Sequence, residues 1–350
     1  MLDNDRIQFI FKNSLKLLIA VFSLILFILL LLFLADANFN ESLQAFSKSA
    51  FGGRKNAYLF STVSRCALIM GMALSALIAF RAGIINIGGE GQLVVGGFVA
   101  AIIAVNVQLS GMIGIIIIIC SAVIAGSVWA IIAGWLQLSL GVPILVGSLL
   151  LNYPARYICS YFVNHPFRDV ASGMPQTHLI DKSLWLPYVD GTRLDFGFSF
   201  IIAAYLLTLI YSHYSVAGYK AKMVGMSQEF AATSGISVPK VCIKTLIISG
   251  GIAGLVGAIA VLGIHHRFTD GMLVQPLYAW TGIVAALLVN LIPWAILPAA
   301  FFFAALTNGA AGMERIASVP KEIAIIIQGI IILYVSSGGS NMSKENSEEP

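Results

Sequence analysis

Residues 81–98 read RAGIINIGGEGQLVVGGF, and what this stretch is decides what the chain is. Six glycines (Gly83, Gly88, Gly89, Gly91, Gly96 and Gly97) and an acid, Glu90, would mark a loop in a water-soluble domain. The surroundings exclude that reading. Of 350 residues 59% are hydrophobic and 10% charged, with a mean hydropathy of +0.92, whereas a soluble domain carries about 25% charged residues. So little polar surface cannot cover a particle in water, and the apolar side chains must face lipid.

The apolar runs have the length that lipid demands. Residues 17–34, LLIAVFSLILFILLLLFL, hold one serine as their only polar interruption, and a helix crosses the hydrocarbon core with about 20 apolar residues. Helices satisfy their own backbone groups, and the alternating segments of about 10 residues that a β-barrel would show do not occur. FLADA at 33–37, after Lys12 and Lys16, has the form of a cleavage site. The apolar run before it exceeds the roughly 7–15 residues of a signal peptide, so it is expected to remain as the first helix.

The expected fold is therefore an all-α membrane protein. About ten transmembrane helices are expected, near 15–35, 59–80, 84–106, 112–137, 143–163, 198–214, 241–263, 277–292, 294–311 and 322–337. Residues 1–340 form one transmembrane domain in this reading, and 341–350, with the acidic end SKENSEEP, a short disordered tail. Polar stretches lie at 36–58, 164–197 and 215–240; with ten spans both termini share a side with the last of these. Lys and Arg divide nine to each side, so the positive-inside rule leaves orientation open.

A net charge of +4 is too small to imply a nucleic-acid partner. Cys66, Cys120, Cys159 and Cys242 all fall in apolar spans without a CxxC, and are expected to be small buried hydrophobes, with no disulfide or metal site. No P-loop GxxxxGK[ST], HExxH or GxSxG occurs, so neither an ATP cradle nor covalent catalysis is expected in this chain.

The glycine density of 84–97 disfavours a straight helix and predicts a broken or re-entrant segment, tolerated only against protein or a water-filled cavity. It carries Asn86, Glu90 and Gln92, and an ionisable group within a span is a functional candidate. Three roles are open to Glu90: pairing with a neighbour such as Arg81, lining a solute route, or touching the solute. Glu90 stands essentially alone among carboxylates inside spans, which counts against proton coupling. Asn152, in LLLNYPARYI, either bonds a solute or bridges helices. GIHHRFTDG at 263–271 is expected to be a structured surface loop and not a metal site. The GxxxG of Gly250 and Gly254 is expected to serve helix packing.

Three segments together resemble one family: the membrane permease subunits of bacterial ABC importers for nucleosides and simple sugars, relatives of the branched-chain amino-acid permeases. Asn86, Glu90, Gly91 and Gln92 match its N-I-x-x-E-G-Q phrase. GYKAKMVGMSQEFAATSGI at 218–236 resembles its coupling segment, with Met223 where Ala is usual and Ser227 where Asn is common. GIAGLVGAIAVLGIHHRFTDG and VPKEIAIIIQGIIILYVSS resemble the nucleoside branch more than the ribose branch. QPLYAWTGIVAALLVNLIP departs from the family, lacking an Asp and several glycines.

What the resemblance implies is a solute path involving Asn86, Glu90 and Gln92, to which Asn152 is added as a candidate for its amide at membrane depth. It also implies a coupling segment, 216–238, with Gly218, Lys220, Lys222, Gly225, Glu229, Ala232, Gly235 and Ile236. ATP-binding subunits would dock there and bind ATP and Mg, leaving no cofactor in this chain. A second permease, identical or homologous, an extracytoplasmic substrate-binding lipoprotein and membrane lipid complete the partners. The chain would lie in the bacterial cytoplasmic membrane with both termini cytoplasmic. The solute implied is a purine nucleoside, with riboflavin or a simple sugar such as ribose as alternatives. An ion-coupled secondary transporter, the alternative class, predicts inverted repeats and several intramembrane acids, and neither is visible.

Overall fold

A computed structural model describes residues 38–320, except 54, 55, 109, 190, 191 and 193, together with 322, 326 and 329. The span expected at 15–35, nearly all of that at 322–337, and the tail at 341–350 lie outside the described residues. Within them the chain is helical, with two isolated bridges, Gln176–Thr269 and Tyr188–Asp195, as the only extended pairings.

The helices are α1 (Phe39–Phe51), α2 (Ala57–Arg81), α3 (Gly89–Asn106), α4 (Gly111–Leu140), α5 (Ile144–Asn164), α6 (Gly197–Tyr214), α7 (Val216–Met226), α8 (Gln228–Thr233), α9 (Val238–Ile259), α10 (Tyr278–Leu288) and α11 (Ile296–Ala317). A π-helical turn, Ala260–His265, prolongs α9. Six segments are long and apolar enough to cross a membrane: 57–81, 89–106, 111–140, 197–214, 238–265 and 293–317. These six are the count among the described residues, and the expected count of ten is not confirmed. α5 has the length, at 21 residues, but not the apolarity. α10, expected as a full span at 277–292, has 11 residues and so rises only about 16 Å. It stops where Asn290 and Leu291 turn left-handed, at φ 49° and 57°.

The glycine-rich segment also departs from expectation. The non-helical part is residues 82–88, and α3 then runs unbroken through Gly91, Gly96 and Gly97. Those glycines serve close approach. A Cβ on Gly96 would fall onto the backbone of Gly254, and one on Gly254 onto the carbonyl of Ala122. With Gly250 against Gly126, this lets α3, α4 and α9 pack backbone to backbone, the arrangement the GxxxG implied. α2 is buried on all sides from Cys66 to Ala79, as suits a helix apolar all round. Cys66 and Cys159 are buried, but Cys120 is exposed on α4 and Cys242 half-buried, so the expectation of four buried cysteines holds for two.

The chain separates into two compact units. Residues 60–304 form the larger, with the core just described. In the smaller, Asn38 caps α1 by accepting from the Asn40 and Glu41 amides at 3.1 and 3.5 Å. Gly309 and Gly312 give room there to Phe46 and Ser49.

At the end of the larger unit remote from α7, the loops 165–196 and 266–277 lace together. Thr177 and Ile180 donate backbone bonds of 2.9 Å to Phe268 and His266, and the His266 ring stacks on Trp185 at 3.7 Å and 8°. The loop is structured, as expected, but half-buried. Burial holds the His266 pKa below its ordinary 6.5, against a smaller opposing effect of its bond to Leu262. The folded state therefore resists the proton that the unfolded chain accepts. This contribution to stability is complete above pH 6.5 and is lost as pH falls through the depressed folded value.

Acidification from pH 7.5 to 5 is expected to raise hydrogen exchange in 176–188 and 266–271, and His266→Gln to remove that dependence. Gly254→Val should lower stability by about 1–3 kcal/mol or more, the ordinary cost of overpacking, seen as a fall in thermal midpoint in detergent.

Candidate functional site

A non-helical segment inside a bilayer needs partners for its backbone groups, because no water is there to supply them. Residues 82–88 obtain them from α5, from the carbonyls at the end of α2 and from the linker itself. The Ile87 amide donates to Ser148 Oγ at 3.1 Å, and the Ile87 carbonyl accepts from Asn152 Nδ2 at 3.1 Å. Asn152 Oδ1 accepts the Gly91 amide at 2.8 Å, so one side chain of α5 holds both the linker and the start of α3. Asn86 Oδ1 accepts from the Gly88 amide at 3.0 Å and from Gln92 Nε2 at 3.2 Å. Asn86 Nδ2 donates to Ser249 Oγ on α9 at 3.1 Å. Ser249 in turn exchanges hydrogen bonds of 2.8 and 2.9 Å with Ser75 on α2. Asn86, Gln92 and Asn152 are all buried, and their amides are committed to this clamp.

Glu90 is different. It lies in the first turn of α3, where the helix dipole favours an anion. Its Oε2 accepts from Trp280 Nε1 on α10 at 3.0 Å, and Arg156 Nη1 on α5 stands 4.0 Å from its Oε1. The partner is thus Arg156 and not Arg81, the neighbour the sequence suggested. Arg81 ends α2 beside Gly225, and its Nη1 is buried without a hydrogen-bond partner among the described residues. Three helices therefore converge on one carboxylate: α3 carries it, α5 brings a guanidinium and α10 an indole. A cavity of about 30 Å³, room for a water, adjoins Arg156 and is lined also by Val94, Phe268 and Asp270.

The segment 216–238 folds as two short helices. Ser215 caps α7 by accepting from the Gly218 amide at 2.9 Å, and Ser227 caps α8 by accepting from the Phe230 amide at 3.2 Å. Ser227 thus supplies the cap that an Asn would supply. Lys220, Lys222, Glu229, Ala232 and Gly235 are exposed, as are Met226 and Phe230, and Ile236 is half-buried. Gly235, at φ 78°, ends α8 in the left-handed conformation that favours glycine. A Cβ on Gly218 would strike the Tyr211 carbonyl, and one on Gly225 the Arg81 carbonyl. Gly225 therefore lies directly on the root of the 82–88 linker: a Cβ on Gly83, itself at φ 72°, would come within 3.1 Å of Gly225 Cα.

Residues 58–336 match the family described as branched-chain amino acid transport system, permease component. The chain belongs to that family.

Three curated relatives show how this permease compares. It is 29% identical over 273 residues to the glucose ABC transporter permease protein TsgB13 of Haloferax volcanii, covering 75% of this chain and 71% of the relative. It is 28% identical over 285 residues to the guanosine ABC transporter permease protein NupP of Bacillus subtilis, covering 80% and 81%. With the probable riboflavin import permease protein RfuC of Treponema pallidum it shares 26% over 309 residues, covering 87% and 80%. No solved structure matches the permease.

Arg156, Trp280, Ser148 and Ser249 escaped the sequence reading as site residues. A signal for two of them was present: Ser148, Asn152, Arg156, Ser160 and Asn164 recur every fourth residue and so form a polar stripe that winds along α5, each about one turn from the next. No pattern pointed to Trp280. Asn152→Ala should strand the Gly91 amide and the Ile87 carbonyl, at about 1–3 kcal/mol for each buried group. The expected result is a lowered thermal midpoint with poor membrane yield, while Asn164→Ala, near the helix end, leaves both unchanged.

Proposed function

We propose that the permease is the transmembrane subunit of an ATP-driven importer that forms the path for a small polar solute, a purine nucleoside before riboflavin or a simple sugar. The observation that carries this reading is the contact of Gly225 with Arg81–Gly83. It joins an exposed docking element to the linker that leads to Glu90. The relatives named for guanosine, riboflavin and glucose support the same class of function.

In this reading an ATP-binding subunit seats on Met226 and Phe230, with Lys220, Lys222 and Glu229 around them. It holds ATP and Mg and performs the hydrolysis, so this chain needs no cofactor. Displacement of α7 shifts Arg81–Gly83, while the far end of the linker stays clamped to α5 by Ser148 and Asn152. The shift therefore carries the start of α3 and α5 together, and with them Glu90 and Arg156, against Trp280 on α10. Nucleotide drives that motion only by binding the two arrangements unequally. Asn86, Gln92 and Asn152 serve the path by holding its wall, and Glu90 is the group beside the solute. A second permease and an extracytoplasmic substrate-binding lipoprotein complete the assembly, with both termini on the cytoplasmic face.

The test is uptake by the reconstituted complex of radiolabelled guanosine, riboflavin and ribose. ATP-dependent guanosine uptake is expected. Gly225→Val should keep at least half the ATPase activity and lose tenfold or more of the uptake. Glu90→Gln should assemble normally and transport less. Uptake that follows a proton or sodium gradient without ATP would overturn the reading.

A further inference from the structure

The outward faces of α4 and α5 differ in kind. On α4 the exposed side chains include Ile113, Ile116, Ile117, Ile124 and Val128, which hydrocarbon accepts. On α5 Tyr153, Tyr157 and Tyr161, exposed by 53%, 72% and 58%, stand among the exposed apolar side chains Leu145, Val146, Leu150, Ile158 and Phe162. Four residues separate each from the next, so the three share a face at intervals of about 6 Å. Beside them the Arg156 side chain is 45% exposed. At 4.0 Å from Glu90 it makes an ion pair without a hydrogen bond, and its donors have no partner among the described residues.

α5 has 21 residues and so rises about 31 Å, the thickness of the hydrocarbon core. Tyr153, Arg156 and Tyr157 fall near its middle. Tyrosines that meet lipid gather at the two interfaces, where the hydroxyl reaches water, and a guanidinium at mid-depth faces protein or an aqueous cavity. Pro154 adds to the mismatch with lipid, because it cannot bond the Leu150 carbonyl and leaves an acceptor on the helix surface. Rings one turn apart on this helix also come into stacking range: Tyr161 and His165 lie parallel within 22° at 4.5 Å.

We propose that this face of α5 is a wall of the solute path and that it selects solutes bearing a planar heteroaromatic ring. The ring lies on Tyr153 and Tyr157, Arg156 donates to its carbonyl or ring-nitrogen acceptors, and Glu90 accepts a ring N–H. The inference rests on the importer reading and narrows its substrate class, placing nucleobases and flavins above simple sugars.

The test uses the assembled transporter with Cys66, Cys120, Cys159 and Cys242 replaced and Tyr157→Cys introduced. A charged, water-soluble methanethiosulfonate should modify position 157, and guanosine or riboflavin, but not ribose, should slow modification fivefold or more. In uptake, Tyr157→Ala should raise the KM for the ring-bearing solute about tenfold and Tyr157→Phe leave it within twofold. Reaction only with a membrane-permeant maleimide would put the face in lipid. A cross-link from position 157 to the companion permease, without solute protection, would make it a subunit contact. Either result, or protection by ribose alone, overturns this inference while ATP-dependent uptake still stands. Loss of ATP dependence in the wild type would overturn the importer reading and this one with it.

Discussion

A run of backbone without helical hydrogen bonds, residues 82–88, is held inside a membrane bundle by side chains, and the rest of the structure is arranged around that constraint. In water such a segment would cost little. In hydrocarbon each unpaired amide or carbonyl is expensive, so the polar residues near it are committed to it: Ser148 and Asn152 from α5, Asn86 from the linker itself, Ser249 from α9. Their amides and hydroxyls make a rigid seat from which α3 starts within the bundle and not at its edge. The carboxylate in the first turn of α3 is thereby set among helices and nearly buried.

Glycine provides the second requirement, proximity. Hydrogen bonds between side chains of different segments reach about 3 Å, so α2, the linker and α9, which carry Ser75, Asn86 and Ser249, must approach closely. The contacts of Gly96 with Gly254 and of Gly126 with Gly250 allow this for α3, α4 and α9. The same device at Gly83 and Gly225 connects the linker to the helix pair at the end of the bundle. A chain built this way is stiff where its backbones touch and is free to move as whole helices. Five residues, between Gly83 and Gly89, are all that separate the contact with α7 from the start of α3.

Much of this was legible in the chain itself. Hydropathy and glycine spacing are local, additive properties, and they gave the all-helical membrane character, the packing role of Gly250 and Gly254 and the irregular segment near Glu90. They misjudged its extent, because glycine weakens a helix only when nothing packs against it. α3 continues through Gly96 and Gly97 since their missing side chains admit Gly254 and Gly257. They overstated α10, where left-handed turns at Asn290 and Leu291 end the helix early.

The sequence by itself determined the solvent this protein lives in and the residues that could not be indifferent to it, above all an acid among glycines in an apolar chain. Only the tertiary structure decided what that acid meets. Arg156 is 66 residues from Glu90 along the chain and Trp280 is 190 away. No local pattern joins them, because their meeting depends on how α5 and α10 pack around the start of α3. The same holds for Asn152: an amide at mid-span could bind a solute or a backbone, and it took the backbone because the linker's unpaired groups lay within its reach.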